Sequence, residues 1–169
     1  MVTLLAGCGD GRAPTAHAAG AAGATSTTAH HVQGRVGTLL IEDGYVPEAA
    51  SPDVAAAYLT IVNTGGTPAR LTAVTSDAAG TVMPMTENTS GGVGSMAPLP
   101  DVVVPAHGSF RFRPGAAHLM LEQPHPAPRA GGTVTLILTF APAGAVTVSL
   151  PVTPIGATGS MPSMGMPNG

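Results

Sequence analysis

The chain has 169 residues, room for one domain of ordinary size with extended ends but not for a second independent core. Charged residues are only 9%, the formal net charge is −3 and all six basic residues are arginine, so no basic stripe is available for a phosphate backbone and nucleic acid is disfavoured as a partner. Hydrophobic residues reach 44% with 3% aromatic, and the 23 glycines and 17 prolines break helix interiors while serving turns; this composition favours an all-β protein with a core of Val, Leu, Ile, Ala and Met.

At the start of the chain, the single cysteine, Cys8, has no partner for an intramolecular disulfide. It closes Leu5-Ala6-Gly7-Cys8, which resembles the bacterial lipobox, where the cysteine is lipidated and the preceding segment removed. Residues 1–7 carry no positive n-region and are too short for a full apolar h-region, which points to a signal peptide longer than this segment. Gly9 to Thr28 is rich in Ala, Gly, Thr and Ser, as expected of a tether that lifts a domain off a membrane. Residues 1–34 are therefore read as signal remnant and tether, and the protein as exported, at the outer face of the membrane or in the periplasm, with Cys8 as its lipid anchor. No later stretch is long and apolar enough to span a bilayer as a helix.

From Arg35 the pattern changes to short β-branched and aliphatic runs punctuated by turn signals, and residues 35–153 are read as one β-sandwich of about eight strands. Val36 to Glu42 is expected as the first strand, turned by Asp43-Gly44. Ala56 to Asn63 and Arg70 to Thr75 follow, then Val102 to Val104. Ser109 to Arg113 alternates so that Phe110 and Phe112 share a core-facing side. His118 to Glu122, Val134 to Phe140 and Ala145 to Val152 complete the set, the last two forming a hairpin through Pro142-Ala143-Gly144. Residues 154–169 lack this pattern and are read as a Met-rich disordered tail.

The chemistry-bearing residues are methionines and histidines. His118 and Met120 lie two apart on one expected strand, so an imidazole and a thioether project from the same face while Leu119 and Leu121 point into the core. Between Met85 and Met96 lie ten residues, TENTSGGVGS, whose Gly, Ser, Thr and Asn suit a loop that folds back and brings two sulfurs close. Thioether sulfur is soft and favours copper(I), whereas zinc prefers His, Cys or carboxylate. Met83 is a further candidate beside Met85. His107 and His125 sit in proline-flanked turns and are read as ordinary loop residues; His17, His30 and His31 in the leader and Met161, Met164 and Met166 in the tail are at most weak accessory donors.

The spacing of Met85, ten residues, Met96, twenty-one residues and His118-Leu119-Met120 resembles the signature of the PCu(A)C family of periplasmic copper chaperones. Supporting similarity comes from Ala56-Ala57-Tyr58-Leu59 with Asn63, Arg113-Pro114-Gly115, Gly131-Gly132 and Val134 to Phe140. The resemblance implies a cupredoxin-like Greek-key sandwich and one copper(I) held by Met85, Met96, His118 and Met120. It departs at Met85, where the family has its first histidine, giving three sulfurs and one imidazole. It also implies delivery of copper(I) outside the cytoplasm to a cuproprotein such as cytochrome c oxidase, alongside a thiol-bearing assembly factor.

No nucleophile elbow, phosphate-binding glycine loop or carboxylate pair supports an enzyme. A blue-copper electron carrier needs a thiolate with two histidines, and the only cysteine is at the lipobox. Two alternatives stand beside the chaperone: a structural or adhesive lipoprotein module whose methionines pack the core, and a copper storage or detoxification protein that uses the tail.

Overall fold

The computed structural model describes residues 30–88 and 94–155. Their regular structure is β throughout, in eleven strands: β1 (Val32–Val36), β2 (Leu39–Pro47), β3 (Val54–Asn63), β4 (Ala69–Ser76), β5 (Ala79–Asn88), β6 (Ser95–Pro98), β7 (Val102–Val104), β8 (Ser109–Phe112), β9 (Ala117–Pro124), β10 (Thr133–Ala141) and β11 (Gly144–Thr153). The hydrogen-bonded order is β6-β5-β9-β3-β2-β11-β10-β4-β7, with β1 added to β2 and β8 to β3. The chain crosses repeatedly between the two ends of this path, and the sheet curls into the expected cupredoxin-like sandwich.

One apolar core lies inside the curl. It draws on Leu39, Ile41, Leu59 and Ile61 from β2 and β3, Phe112 from β8, Leu119 and Leu121 from β9, and Leu136, Leu138, Phe140 and Leu150 from β10 and β11. Phe110 and Phe112 do share a side, their rings edge to face with centroids 5.0 Å apart, but only Phe112 is fully buried. Thr60, Asn63 and His118 are the buried polar residues among those described, and Asn63 is the most deeply buried of them. Its Nδ2 donates to the Thr67 carbonyl at 2.7 Å, and its Oδ1 accepts from the Gly65 N–H at 2.9 Å and the Thr38 hydroxyl at 3.2 Å. These bonds satisfy a side chain that would otherwise be costly to bury.

Two expectations need correction. Asp43-Gly44 is not a hairpin turn but a bulge inside β2: Glu42 pairs with Thr60 and Tyr45 with Tyr58, so the β2 side holds one residue more, and Asp43 takes a φ of 52°. Gly44 fits closely there, since a Cβ would lie 2.5 Å from Leu150 Cδ2 and 2.6 Å from Gln33 Oε1 and would have to push those side-chain ends aside. The tight turn lies six residues earlier, at Gly37-Thr38 near the start of the strand expected from Val36 to Glu42, with Val36 opposite Leu39. The strand count is also larger than eight, because β1, β5 and β6 carry weak signals. β1 begins at Val32, three residues ahead of the domain start read from the sequence. Cys8, His17, most of the tether and Met161, Met164 and Met166 lie outside the described residues.

Candidate metal centre

β9 is the middle of the site. On its core side Leu119 and Leu121 are completely buried, and on its other side stand His118 and Met120, as the two-residue period requires. β5 lies antiparallel beside it, with Met85 directly opposite His118 and Met83 directly opposite Met120. Opposed residues in an antiparallel pair share a face with Cβ atoms about 5 Å apart. Four potential donors therefore occupy adjoining positions of one face. β6 then folds back on β5, placing Met85 opposite Pro98 and Glu87 opposite Met96, so Met96 stands on that same face one diagonal step from Met85. The expectation that the chain between Met85 and Met96 brings the two residues together holds, but by a β5–β6 hairpin rather than a loop throughout; residues 89–93 are outside the described set.

A cavity of ≈ 270 Å³ opens on this face. His118, Met120 and Met96 line it, together with Ala56 and Tyr58 of β3 and Glu48, Ala49 and Ala50 of the segment after β2. Ala56 is the β3 residue opposite Met120, and its small side chain leaves space beside that thioether. His118 is only 5% exposed and Met85 8%, whereas Met96 is 58% exposed on the outermost strand. The donors thus grade from a buried floor to an open rim.

His118 is oriented by the backbone. Its Nδ1 lies 3.4 Å from the Ala116 carbonyl oxygen, which also accepts the Glu87 N–H at 3.2 Å. With Nδ1–H donating to that carbonyl, the Nε2 lone pair is left for a ligand, the arrangement that commonly fixes metal-binding histidines. Tyr58 packs against Tyr45 with ring centroids 5.3 Å apart. Burial, then the neighbouring Tyr45 and Glu87, raise the Tyr58 pKa, so its phenol stays neutral and does not compete as an anionic ligand. Among the described residues no three His, Cys, Asp or Glu side chains converge, so a zinc-type or all-oxygen site has no ready counterpart there. Carboxylates stand at the edge of this face, Glu48 in the cavity lining and Glu87 opposite Met96, but the donors grouped around His118 on β5 and β9 are thioethers, so its centre offers soft sulfur with one nitrogen.

His107 and His125 are exposed outside this face, as expected of loop residues, and His30 instead pairs with Asp43 at the β2 bulge. Sequence reasoning did not single out the cavity walls formed by Ala56, Tyr58 and Glu48. Period-two alternation along Ala56-Ala57-Tyr58 was the available signal for the first two; nothing local marks Glu48.

The family described as "Putative lipoprotein LpqE-like" matches residues 39–152. No curated protein matches the chain. Among solved structures, the copper-bound PCuAC domain from PmoF2 is similar at 23% identity over 71% of this chain and 96% of that one, with a TM-score of 0.61. The solution structure of Cu(I)-DR1885 from Deinococcus radiodurans is similar at 26% identity over 70% of this chain and 78% of that one, with a TM-score of 0.55. Its apo form is similar at 25% identity over 90% and 97%, with a TM-score of 0.51. The chain therefore belongs to the LpqE-like lipoprotein family and carries the cupredoxin-like fold of PCuAC domains.

Proposed function

We propose that this protein is an extracytoplasmic copper(I) metallochaperone that binds one ion through Met85, Met96, His118 and Met120. The observation that carries the reading is the juxtaposition of Met85 with His118 and the presence of Met96 and Met120 on the same face, where His118, Met96 and Met120 border one cavity. The copper-bound states named for the PmoF2 domain and for DR1885 support it. Three neutral thioethers and an imidazole favour copper(I) over harder divalent ions, and no ligand in the set is a thiolate. Met85, at the position where the copper-chaperone signature has histidine, keeps the site soft while removing one nitrogen.

The work of such a protein is ligand exchange. His118 and Met85 hold copper(I) at the buried floor, and exposed Met96 is the first donor that an incoming partner ligand can replace. No covalent bond of a substrate is made or broken, which makes the protein a carrier rather than a catalyst. The family's lipoprotein character supports export and a lipid anchor through Cys8, with the domain held at the outer membrane face or in the periplasm. A cuproprotein such as cytochrome c oxidase, or a thiol-bearing factor that assembles it, is the acceptor that this chemistry suits, because a thiolate outcompetes thioethers for copper(I).

The test is His118→Ala. Copper(I) affinity is expected to fall by at least roughly a hundredfold, while the unfolding free energy of this buried position falls by about 1–2 kcal/mol and leaves the domain folded. Unchanged affinity in the folded variant would overturn the ligand assignment. More than one tightly bound ion per chain, reduced by deleting residues 154–169, would favour storage instead.

A further inference from the structure

The face contains more donors than one copper(I) ion uses. Resting on the site proposed above, we propose that Met83 is a fifth soft donor, an exchange ligand that takes a coordination position as copper(I) enters or leaves. Met83 is directly opposite Met120 and one diagonal step from His118, on the face that holds Met85. Direct neighbours in such a ladder have Cβ atoms about 5 Å apart and diagonal ones about 7–8 Å, both within reach of a thioether with three rotatable bonds. Its side chain is half-buried, so it is neither sealed into the core nor lost to solvent.

The surroundings of Met120 are unequal. On the β3 side it faces Ala56, which offers only a methyl group, and on the β5 side it faces Met83. Copper(I) bound near Met120 therefore meets its extra donor from β5. The exchange is balanced without any other reactant: a Cu–S bond to Met83 forms as one to Met85 or Met96 breaks, with no change in oxidation state and no proton moved. Because the thioether is neutral, the step changes no charge. An associative step of this kind accelerates release without deepening the resting site, which is what a carrier needs.

The experiment uses the full chain carrying methyl-labelled methionine, titrated anaerobically with copper(I), beside Met83→Leu. The Met83 methyl resonance is expected to shift within the first equivalent, together with those of Met85, Met96 and Met120. In Met83→Leu, equilibrium affinity is expected to change less than about threefold while release to a strong copper(I) chelator slows roughly tenfold. A Met83 resonance that stays put through the first equivalent, or a wild-type release rate in the variant, would overturn the inference while leaving the four-ligand site standing. An affinity loss above about tenfold would make Met83 a fixed ligand and equally overturn the exchange role. If Met85, Met96 and Met120 also fail to shift, the site itself falls and this inference with it.

Discussion

β11 and β9 are both alternating strands in the same curled sheet, but they use their faces differently. β11 buries Val146, Val148, Leu150 and Val152 and exposes Ala145, Thr147, Ser149 and Pro151, the pattern of a sheet with one dry side and one wet side. β9 buries Leu119 and Leu121 on the core side, and on the opposite side it also buries His118 and half-buries Met120. The second face of β9 is covered without being aliphatic. It carries its own imidazole and thioether, His118 and Met120, beside the thioethers of Met83 and Met85 from β5 and Met96 from β6, groups that offer donor atoms where packed leucines would not. The contrast teaches that the two sides of β9 are separable, one specifying the fold and the other a candidate binding chemistry.

That separation predicts opposite outcomes for substitutions one residue apart. Leu119→Ala, on the fold side, is expected to cost about 3 kcal/mol of unfolding free energy by chemical denaturation, from lost transfer energy plus a cavity. Its folded fraction should still take up one copper(I). If Leu119→Ala instead abolished metal uptake in the folded state, the two faces would not be independent.

Asn63→Ala tests the core away from the site. It removes a side chain that accepts from Gly65 N–H and donates to the Thr67 carbonyl, and is expected to cost about 2 kcal/mol with no change in copper(I) affinity. Met96→Leu tests the binding side at its most exposed donor. Stability should move by less than about 0.5 kcal/mol, as for surface positions generally, while copper(I) affinity falls roughly tenfold. Equal affinity would remove Met96 from the set.

The smallest expected effect concerns the β2 bulge, which belongs to neither face. The Asp43 hydrogen bond raises the His30 pKa above 6.5. Burial alone would raise the Asp43 pKa, but hydrogen bonds from His30 and the His31 N–H more than offset it and bring it below 3.8. The raised His30 value stabilises the fold fully below pH 6.5, a contribution lost as pH rises through it; the lowered Asp43 value stabilises it above pH 3.8, a contribution lost as pH falls through it. Asp43→Asn should therefore lower stability most near about pH 5 and little near about pH 8, read as denaturation midpoints at the two pH values; a difference independent of pH would contradict this.

Strands with regular alternation were legible from residues alone: β3, β8, β9, β10 and β11 lie where the aliphatic and Phe-Arg patterns placed them. β5 was not, because the Gly, Ser, Thr and Asn residues after Met85 suit a loop and Pro84 interrupts the run before it. The structure accommodates Pro84 where β6 stops, since β5–β6 pairing runs only from Met85 opposite Pro98 to Asn88 opposite Ser95. Asp43-Gly44 misled for a related reason: the same residues serve a hairpin turn or a bulge, and the choice depends on Gln33 and Leu150, distant in sequence. The parallel pairing of β11 with β2, Val152 opposite Val46, has no local signal at all. For the site, His118 and Met120 follow from a two-residue period, whereas the opposition of Met85 to His118 needs the β5–β9 register, which is set by pairing across more than thirty positions. Family resemblance supplied that link; periodicity did not.

The most direct test of the account is a copper(I) competition titration of the full chain against the Met85→Leu, Met96→Leu, Met120→Leu triple variant. The account predicts tight one-to-one binding by the wild type and at least roughly hundredfold weaker binding by a variant whose unfolding midpoint is little changed. A folded wild-type protein that fails to bind copper(I), or a triple variant that binds as tightly as the wild type, would contradict it.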